Sequence, residues 1–290
     1  MSHKHPIIAV TGSSGAGTSV ARDAFETMFR KLGINAAFIE GDCFHRYDRA
    51  AMKAELDRRK SAGDDTFSHF SYDANELGLL EDVFRTYGET GKGRTRHYVH
   101  DDTEAERWGS APGTFTDWEP FEDGSDLLFY EGLHGAVVND EVNIASHADL
   151  KIGVVPVINL EWTQKIHRDK ASRGYSTEAV TDTILRRMHA YVHCICPQFS
   201  ETDINFQRVP VVDTSNPFIA RWIPTPDESL LVIRFKNPRG IDFPYLTSMI
   251  HDSWMTRANS IVIPGGKMDL AMQLIFTPMV HRLVNDSKRA

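Results

Sequence analysis

Only three cysteines, Cys43, Cys194 and Cys196, occur in 290 residues. An odd count without a spacing framework excludes a disulfide scaffold and points to reduced thiols in a cytosol. Cys194-Ile195-Cys196 beside His193 lacks the second ligand pair of a structural zinc site; besides a metal fragment it reads as a buried strand or helix end. No apolar run is long enough to cross a bilayer. Positive charge is also scarce: 32 Lys and Arg against 40 Asp and Glu leave a net charge of −8. A nucleic-acid backbone is thereby excluded as the main partner, since it requires a basic face. A small anionic substrate in a locally basic pocket remains compatible. There is no internal repeat or low-complexity linker, and no dinucleotide-binding G-x-G-x-x-G follows a predicted strand. Met1 to His5 runs directly into the first apolar segment, which predicts no signal or transit peptide and a cytoplasmic protein.

The most telling absence is a single lysine. Gly12-Ser13-Ser14-Gly15-Ala16-Gly17-Thr18-Ser19 matches the phosphate-loop pattern G-x-x-x-x-G-K-[ST] except that Thr18 stands where the lysine belongs. The context is right for such a loop, because Pro6 to Thr11 reads as a buried strand and Val20 to Phe25 opens a helical pattern. A nucleotide phosphate is expected at that helix N-terminus, held by backbone N–H groups and the helix dipole. The polyphosphate still needs cations, so the replacements must lie elsewhere.

A second strand is predicted at Ala36 to Glu40, then a charged helix from about Asp48 to Lys60. Asp64 to Tyr72 and Lys92 to Trp118 read as long excursions with short strands at best, where substrate contacts or lids are usually carried. Further strands are expected at Leu127 to Glu131, Leu150 to Val155, Val209 to Asp213, Leu230 to Phe235 and Ser260 to Ile263. Helices are expected at about Leu160 to Ser172, Thr177 to His193 and Met268 to Asn285. The alternation predicts one α/β domain over 1–290, a phosphate-loop sandwich whose mixed, mainly parallel central sheet is flanked by helices, with antiparallel additions near the C-terminus.

Ligands of such a sheet gather at the carboxyl ends of its strands, where Asp42 and Glu131 fall. Glu131 resembles the carboxylate that, with a loop hydroxyl such as Ser19, holds Mg²⁺ on terminal phosphates; a capping or ion-paired surface acid is the competing reading. Asp42 is the candidate general base for an attacking hydroxyl, with a helix N-cap as the alternative. His45 and Arg49, four residues apart, would share a helix face and grip a substrate phosphate, unless that face is simply solvated. Lys165, Arg168, Asp169 and Arg173 would form one helix face of three cations around a carboxylate. That face is either an exposed ion-paired surface or the source of the missing charge. In the second case Lys165 replaces the loop lysine, Arg168 and Arg173 act on phosphates, and Asp169 is a second Mg²⁺ ligand. Arg186, Arg187, Arg234 and Arg257 have no assigned task; each reads as structural or surface rather than catalytic, and as a group they could instead serve an anionic effector site or a subunit interface.

Gly12 to Ser19, Glu40-Gly-Asp-Cys-Phe-His45, Tyr130-Glu-Gly-Leu-His134 and Pro210-Val-Val-Asp-Thr-Ser-Asn-Pro217 together resemble the short, bacterial type of phosphoribulokinase over essentially the whole chain, and more distantly the uridine kinase group. The resemblance implies transfer of phosphate from MgATP to ribulose 5-phosphate, giving ribulose 1,5-bisphosphate, the carbon dioxide acceptor of the Calvin cycle. It implies Asp42 as base, Asp169 as a catalytic acid tied to Mg²⁺, Glu131 as the phosphate-loop carboxylate and Lys165 as the active-site lysine. His45, Arg49, Arg168 and Arg173 would bind the sugar phosphate. It further implies a homo-octamer activated by NADH and inhibited by AMP, with Arg234, Arg257 and, from the Arg30-Lys31 pair, Lys31 serving the effector response. Ala16 stands where the plant type carries a regulatory cysteine, so thioredoxin control is not expected. A kinase for uridine or another pentose phosphate is the alternative enzyme; a GTP-dependent switch would need an Asn-Lys-x-Asp segment, which is missing.

Overall fold

A computed structural model describes residues 4–13, 16–173 and 176–289, without the side chains of residues 169 and 171–173. Ten strands are described: β1 (Ile7–Gly12), β2 (Ala36–Glu40), β3 (Arg94–Thr95), β4 (Glu119–Pro120), β5 (Leu127–Gly132), β6 (Leu150–Val155), β7 (Ile204–Pro210), β8 (Ser229–Phe235), β9 (Trp254–Arg257) and β10 (Ser260–Pro264). The helices are α1 (Thr18–Leu32), α2 (Arg49–Ser61), α3 (Leu77–Thr90), α4 (Asp102–Trp108), α5 (Ile158–Arg173), α6 (Thr177–Ala190), α7 (Phe243–Met249) and α8 (Met268–Ser287). Eight strands form one sheet in the order β2-β5-β1-β6-β7-β8-β10-β9, and β3 with β4 forms a separate two-stranded ribbon. The first five strands of that order run parallel, while β8, β10 and β9 are joined by antiparallel pairing. The mixed sheet with its antiparallel C-terminal edge is the expected architecture.

The central strands are apolar because both faces are covered. Alternation along β1 sends Ile8 and Val10 to a core shared with Phe25 and Phe29 of α1 and Phe276 of α8. Ile7 and Ala9 go to the opposite core, with Leu80, Phe84 and Tyr87 of α3. In β5, Leu127 and Phe129 take the first face, Leu128 and Tyr130 the second.

Several elements differ from the sequence reading. The strand expected at Val209 to Asp213 starts earlier and ends sooner: β7 takes in only Val209 and Pro210 of that stretch and stops at Pro210, whose ring carries no N–H for the ladder. Helices α3, α4 and α7 and the exposed edge strand β9 are further elements, α4 lying inside the Lys92 to Trp118 excursion. Asp48 caps α2, its Oδ1 accepting from the Ala51 N–H at 2.7 Å, so the helix begins after His45 rather than through it. Helix α6 stops at Ala190 and passes into a π-helical turn, Tyr191–Ile195, that carries Cys194.

At the carboxyl end of the sheet, β2 and β5 come together backbone to backbone. A Cβ on Gly132 would sit 2.6 Å from Gly41 Cα, and one on Gly41 would sit 2.6 Å from Tyr130 Oη. This contact seats the turn Gly41–Phe44 directly on β5. Gly132→Ala is therefore expected to destabilise the fold by about 1–3 kcal/mol and to lower turnover by displacing Asp42. Urea unfolding alongside an activity assay checks both effects, and Val284→Ala, a change in the core on the other face of the sheet, serves as the control for stability loss alone.

Candidate active site

The loop between β1 and α1 opens the catalytic rim. Gly17 precedes the first helical residue with φ 101°, a left-handed conformation that favours glycine. The Ser13 carbonyl accepts from the Ala16 N–H at 3.0 Å, and the Gly17 carbonyl from the Val20 N–H at 3.1 Å. Ser14 and Gly15 lie outside the described residues. Gly12, Ser13, Ala16, Gly17, Thr18 and Ser19 thus lead into the N-terminus of α1, where free amides and the dipole favour an anion.

Asp42 sits next to this loop, in the turn that follows β2. It caps no helix: the turn's N-cap is Glu40, which makes no side-chain cap bond. Its Oδ1 lies 3.2 Å from His45 Nε2 and its Oδ2 lies 3.3 Å from His100 Nε2. Asn75 donates its amide to the His69 and Ser71 carbonyls, both at 2.9 Å, so its Oδ1 is turned as an acceptor to His45 Nδ1 at 2.8 Å. This network puts a proton on both nitrogens of His45. Burial by itself would raise the Asp42 pKa, but the facing His45 and His100 outweigh it and hold the carboxyl well below its usual range. Burial likewise opposes charge on His45, yet Asp42 prevails and raises the histidine's pKa; His100 is raised chiefly by its hydrogen bond to Asp42. Arg96 holds the turn from behind. Its Nε donates to the Cys43 carbonyl at 2.8 Å and its Nη2 to the His45 carbonyl at 3.0 Å, with the guanidinium 3.7 Å from the Phe115 ring centroid.

Arg49 reaches the same pocket by another route than a shared helix face. His45 closes the turn while Arg49 opens α2, so the expected one-turn spacing on a helix does not exist. The Arg49 Nη2 instead donates to the His100 carbonyl at 2.8 Å.

Glu131 lies at the end of β5, paired in register with Glu40 of β2 and Val10 of β1. Burial raises its pKa, a hydrogen bond from Thr18 works against this, and nearby Asp42 raises it further. The residue at the missing lysine position thus faces this carboxylate; Ser19, expected to share a metal with Glu131, is exposed. Arg22 of α1 pairs with Glu40 and Glu26.

Helix α5 approaches the loop from the other side. The Ser13 hydroxyl, fully buried, donates to Glu161 Oε2 at 2.8 Å. Lys165, one turn further, is buried as well, so this position is no solvated surface; Arg168 is exposed. The charges of Lys165, Arg168 and Arg187 all act on Glu161. The side chains of Asp169 and Arg173 lie outside the described residues. His69 and His134 complete the interior, each pushed down to about 3 by burial and by neighbouring positive charge, from Arg187 and His45 for the first and His45 for the second.

The cations assigned to an effector lie elsewhere. Arg234 pairs with Asn205 near the start of β7, and Ser260 pairs with both Arg234 and Arg257. This is the amino end of the parallel strands, opposite the rim that carries Asp42 and Glu131. Lys31 is in the last turn of α1, the helix that leads back from the loop to that same end. Cys43 is buried and its thiol is pushed up to about 12, which leaves it unreactive.

His100, Arg96, Asn75 and Glu161 escaped the sequence reading. For His100 the available signal was His97-Tyr98-Val99-His100, a polar-aromatic run inside a predicted excursion; for Glu161 it was a carboxylate one helical turn before Lys165. A divalent cation fits the rim. Glu131 is a half-buried carboxylate whose ionised form is disfavoured by burial, with the Thr18 hydroxyl and the Arg22 charge favouring it and Asp42 and Glu40 adding negative charge nearby. Among the described residues no group of three or more His, Cys, Asp or Glu side chains could hold a metal ion.

Residues 7–215 match the family described as Phosphoribulokinase / Uridine kinase family. The chain is 76% identical over 290 residues to "Phosphoribulokinase 2" of Cereibacter sphaeroides, covering 100% of this chain and 99% of the relative. It is 70% identical over 289 residues to "Phosphoribulokinase" of Sinorhizobium medicae (strain WSM419), with 100% and 99% covered. The solved structure titled "Phosphoribulokinase from Rhodobacter spheroides" superposes with a TM-score of 0.91 at 74% identity, covering 98% of this chain and 99% of that one. With a phosphate loop, a strand-end carboxylate and a strand-end aspartate on one rim, and with this match along its whole length, the chain belongs to the phosphoribulokinase/uridine kinase family.

Proposed function

We propose that the chain is an ATP-dependent kinase that phosphorylates ribulose 5-phosphate to ribulose 1,5-bisphosphate, working as a single catalytic domain over residues 1–290. The observation that carries this reading is Asp42, an ionised carboxylate held between His45 and His100 beside a phosphate loop. Asp42 accepts the proton of the attacking sugar hydroxyl. A carboxylate with a low pKa suits this task, because phosphoryl transfer passes through a loose transition state in which the proton leaves late and positioning outweighs basicity. His45, Arg49, Arg168 and Arg173 bind the phosphate already on the acceptor, which favours a sugar phosphate over a neutral nucleoside. Lys165 supplies the cation that the loop lacks. Glu131, Ser19 and Asp169 hold Mg²⁺, which when bound screens the charge of the terminal phosphates.

By resemblance we extend the proposal to a cytoplasmic homo-octamer activated by NADH, with Lys31, Arg234 and Arg257 at the effector site. These three share the amino end of the sheet, away from the catalytic rim.

A coupled assay should give ATP-dependent turnover with ribulose 5-phosphate and little with uridine or ribose 5-phosphate; the absence of turnover with the first would end the proposal. Asp42→Asn should lower kcat by about 10²–10⁴-fold with a modest change in KM, and near-normal turnover would remove Asp42 from the chemistry. The same variant should lower the pKa values of His45 and His100, because it deletes the negative charge that raises them; NMR titration of the imidazole protons reads this directly. The stabilisation from these pairs is complete below the ordinary histidine value and is lost as pH rises through the raised values, so the stability gap between wild type and Asp42→Asn should close above that window. Lys165→Met should reduce kcat more than it weakens ATP binding; an effect on neither would mean the compensating cation lies elsewhere.

A further inference from the structure

The contact between Ser13 and Glu161 joins two segments that lie 148 residues apart, and nothing in the proposed chemistry uses it. Both groups are shut away from solvent, Ser13 fully and Glu161 to 6% exposure. Phe70, Ile158, Ile184 and Met188 form an apolar pocket around the Glu161 carboxylate, into which Lys165 and Arg187 also reach. A buried carboxylate touching a loop built for anions presents a physical conflict. It repels the phosphates the loop is to hold, and it competes with them for the charge of Lys165 and Arg187.

We propose that Glu161 is a positioning residue for the phosphate loop, fixing Ser13 and tying the loop to α5, and that it takes up a proton when nucleotide phosphates occupy the loop. The inference rests on the kinase reading above. The groups that face Glu161 are Ser13 from the loop, Lys165 and Arg168 from its own helix, Arg187 from α6, and Tyr191 and Cys196 from the turns beyond. Burial already pushes the carboxyl up to about 7, against the Ser13 hydrogen bond and three cations that pull it down. Incoming phosphates add like charge and raise it further. Once neutral, Glu161 still meets the Ser13 hydroxyl, but it no longer draws on the cations, whose charge then serves the phosphates.

The sign follows from linkage. A group whose pKa rises on binding takes up protons, and affinity falls as pH rises between the free and bound values. Calorimetric titration of the full-length protein with MgADP at pH 8, in buffers of differing ionisation enthalpy, counts those protons. Wild type should take up about 0.4–0.9 proton per nucleotide, with affinity dropping about three- to fivefold from pH 7 to pH 8. Glu161→Gln keeps an acceptor for Ser13 and should bind MgADP without this uptake and with little pH dependence, whereas Glu161→Ala should bind more weakly. Ser13→Ala should weaken binding and retain the uptake. Binding by wild type with no uptake at pH 8, or equal uptake in Glu161→Gln, would overturn the inference; the first of these needs no variant to fold. Failure of wild type to bind MgADP at all would instead strike at the kinase reading.

Discussion

A polyphosphate needs positive charge, and the loop that receives it has none of its own. The N-terminus of α1 provides backbone amides and a dipole equal to roughly half an elementary charge, far short of what the phosphates carry. Much of the site follows from this shortfall. Thr18, in place of the expected ammonium, satisfies Glu131 with a neutral hydrogen bond and so leaves that carboxylate's charge available to a divalent cation. In the proposed chemistry the cations come from α5, and that helix is attached to the loop by the Ser13–Glu161 contact. Lys165 is buried near that contact, lining the same pocket as Glu161, rather than spread on a solvated face.

The acceptor side of the rim solves a different problem, that of holding a carboxylate still. Three restraints converge on the Asp42 turn. The close approach of Gly41 and Gly132 seats it on β5, Arg96 grips two of its carbonyls, and Asn75 fixes the ring of His45. The result is a well-oriented carboxylate held well below its usual pKa range, and in its proposed role as base it gives up intrinsic basicity for orientation. For a reaction whose transition state is dominated by charge placement, orientation is the property to favour.

The parallel strands were legible because each is a short apolar run bounded by turns, and the phosphate loop because its glycines and hydroxyl stand at fixed offsets. Both strand-end carboxylates could be named on that basis. Val209 to Asp213 misled because its branched residues suggest a strand, while Pro210 closes the ladder instead. His45 and Arg49 have helical spacing in number only, since the Asp48 cap starts the helix between them. The groups that hold Asp42 in place were hidden for another reason. His100, Arg96 and Asn75 lie in excursions without periodicity, and only the folded chain brings them to the turn. Glu161 has an ordinary explanation in the sequence, an acid in the first turn of a helix, and its meeting with Ser13 is a tertiary fact.

The polarity of the sheet divides the molecule into two working ends. Asp42, Glu131 and the phosphate loop occupy the carboxyl ends of the parallel strands, whereas Lys31, Arg234 and Arg257 lie toward the amino ends. At about 4.8 Å per strand, β8 and β9 stand roughly 14 and 24 Å from β1 along the sheet, so neither arginine can reach a phosphate on the loop of its own chain. Lys31 differs in one respect. It sits in the last turn of α1, whose first residue is Thr18 of the loop. The helix is about 22 Å long at 1.5 Å per residue and is packed along its length by Phe25 and Phe29 against Phe129 of β5. An anion at its C-terminal end and a phosphate at its N-terminal end would act on the same rigid rod. In the proposed effector response, α1 links Lys31 directly to the loop, and coupling through it requires displacement of the whole helix against the β1–β5 face rather than a local change at either end.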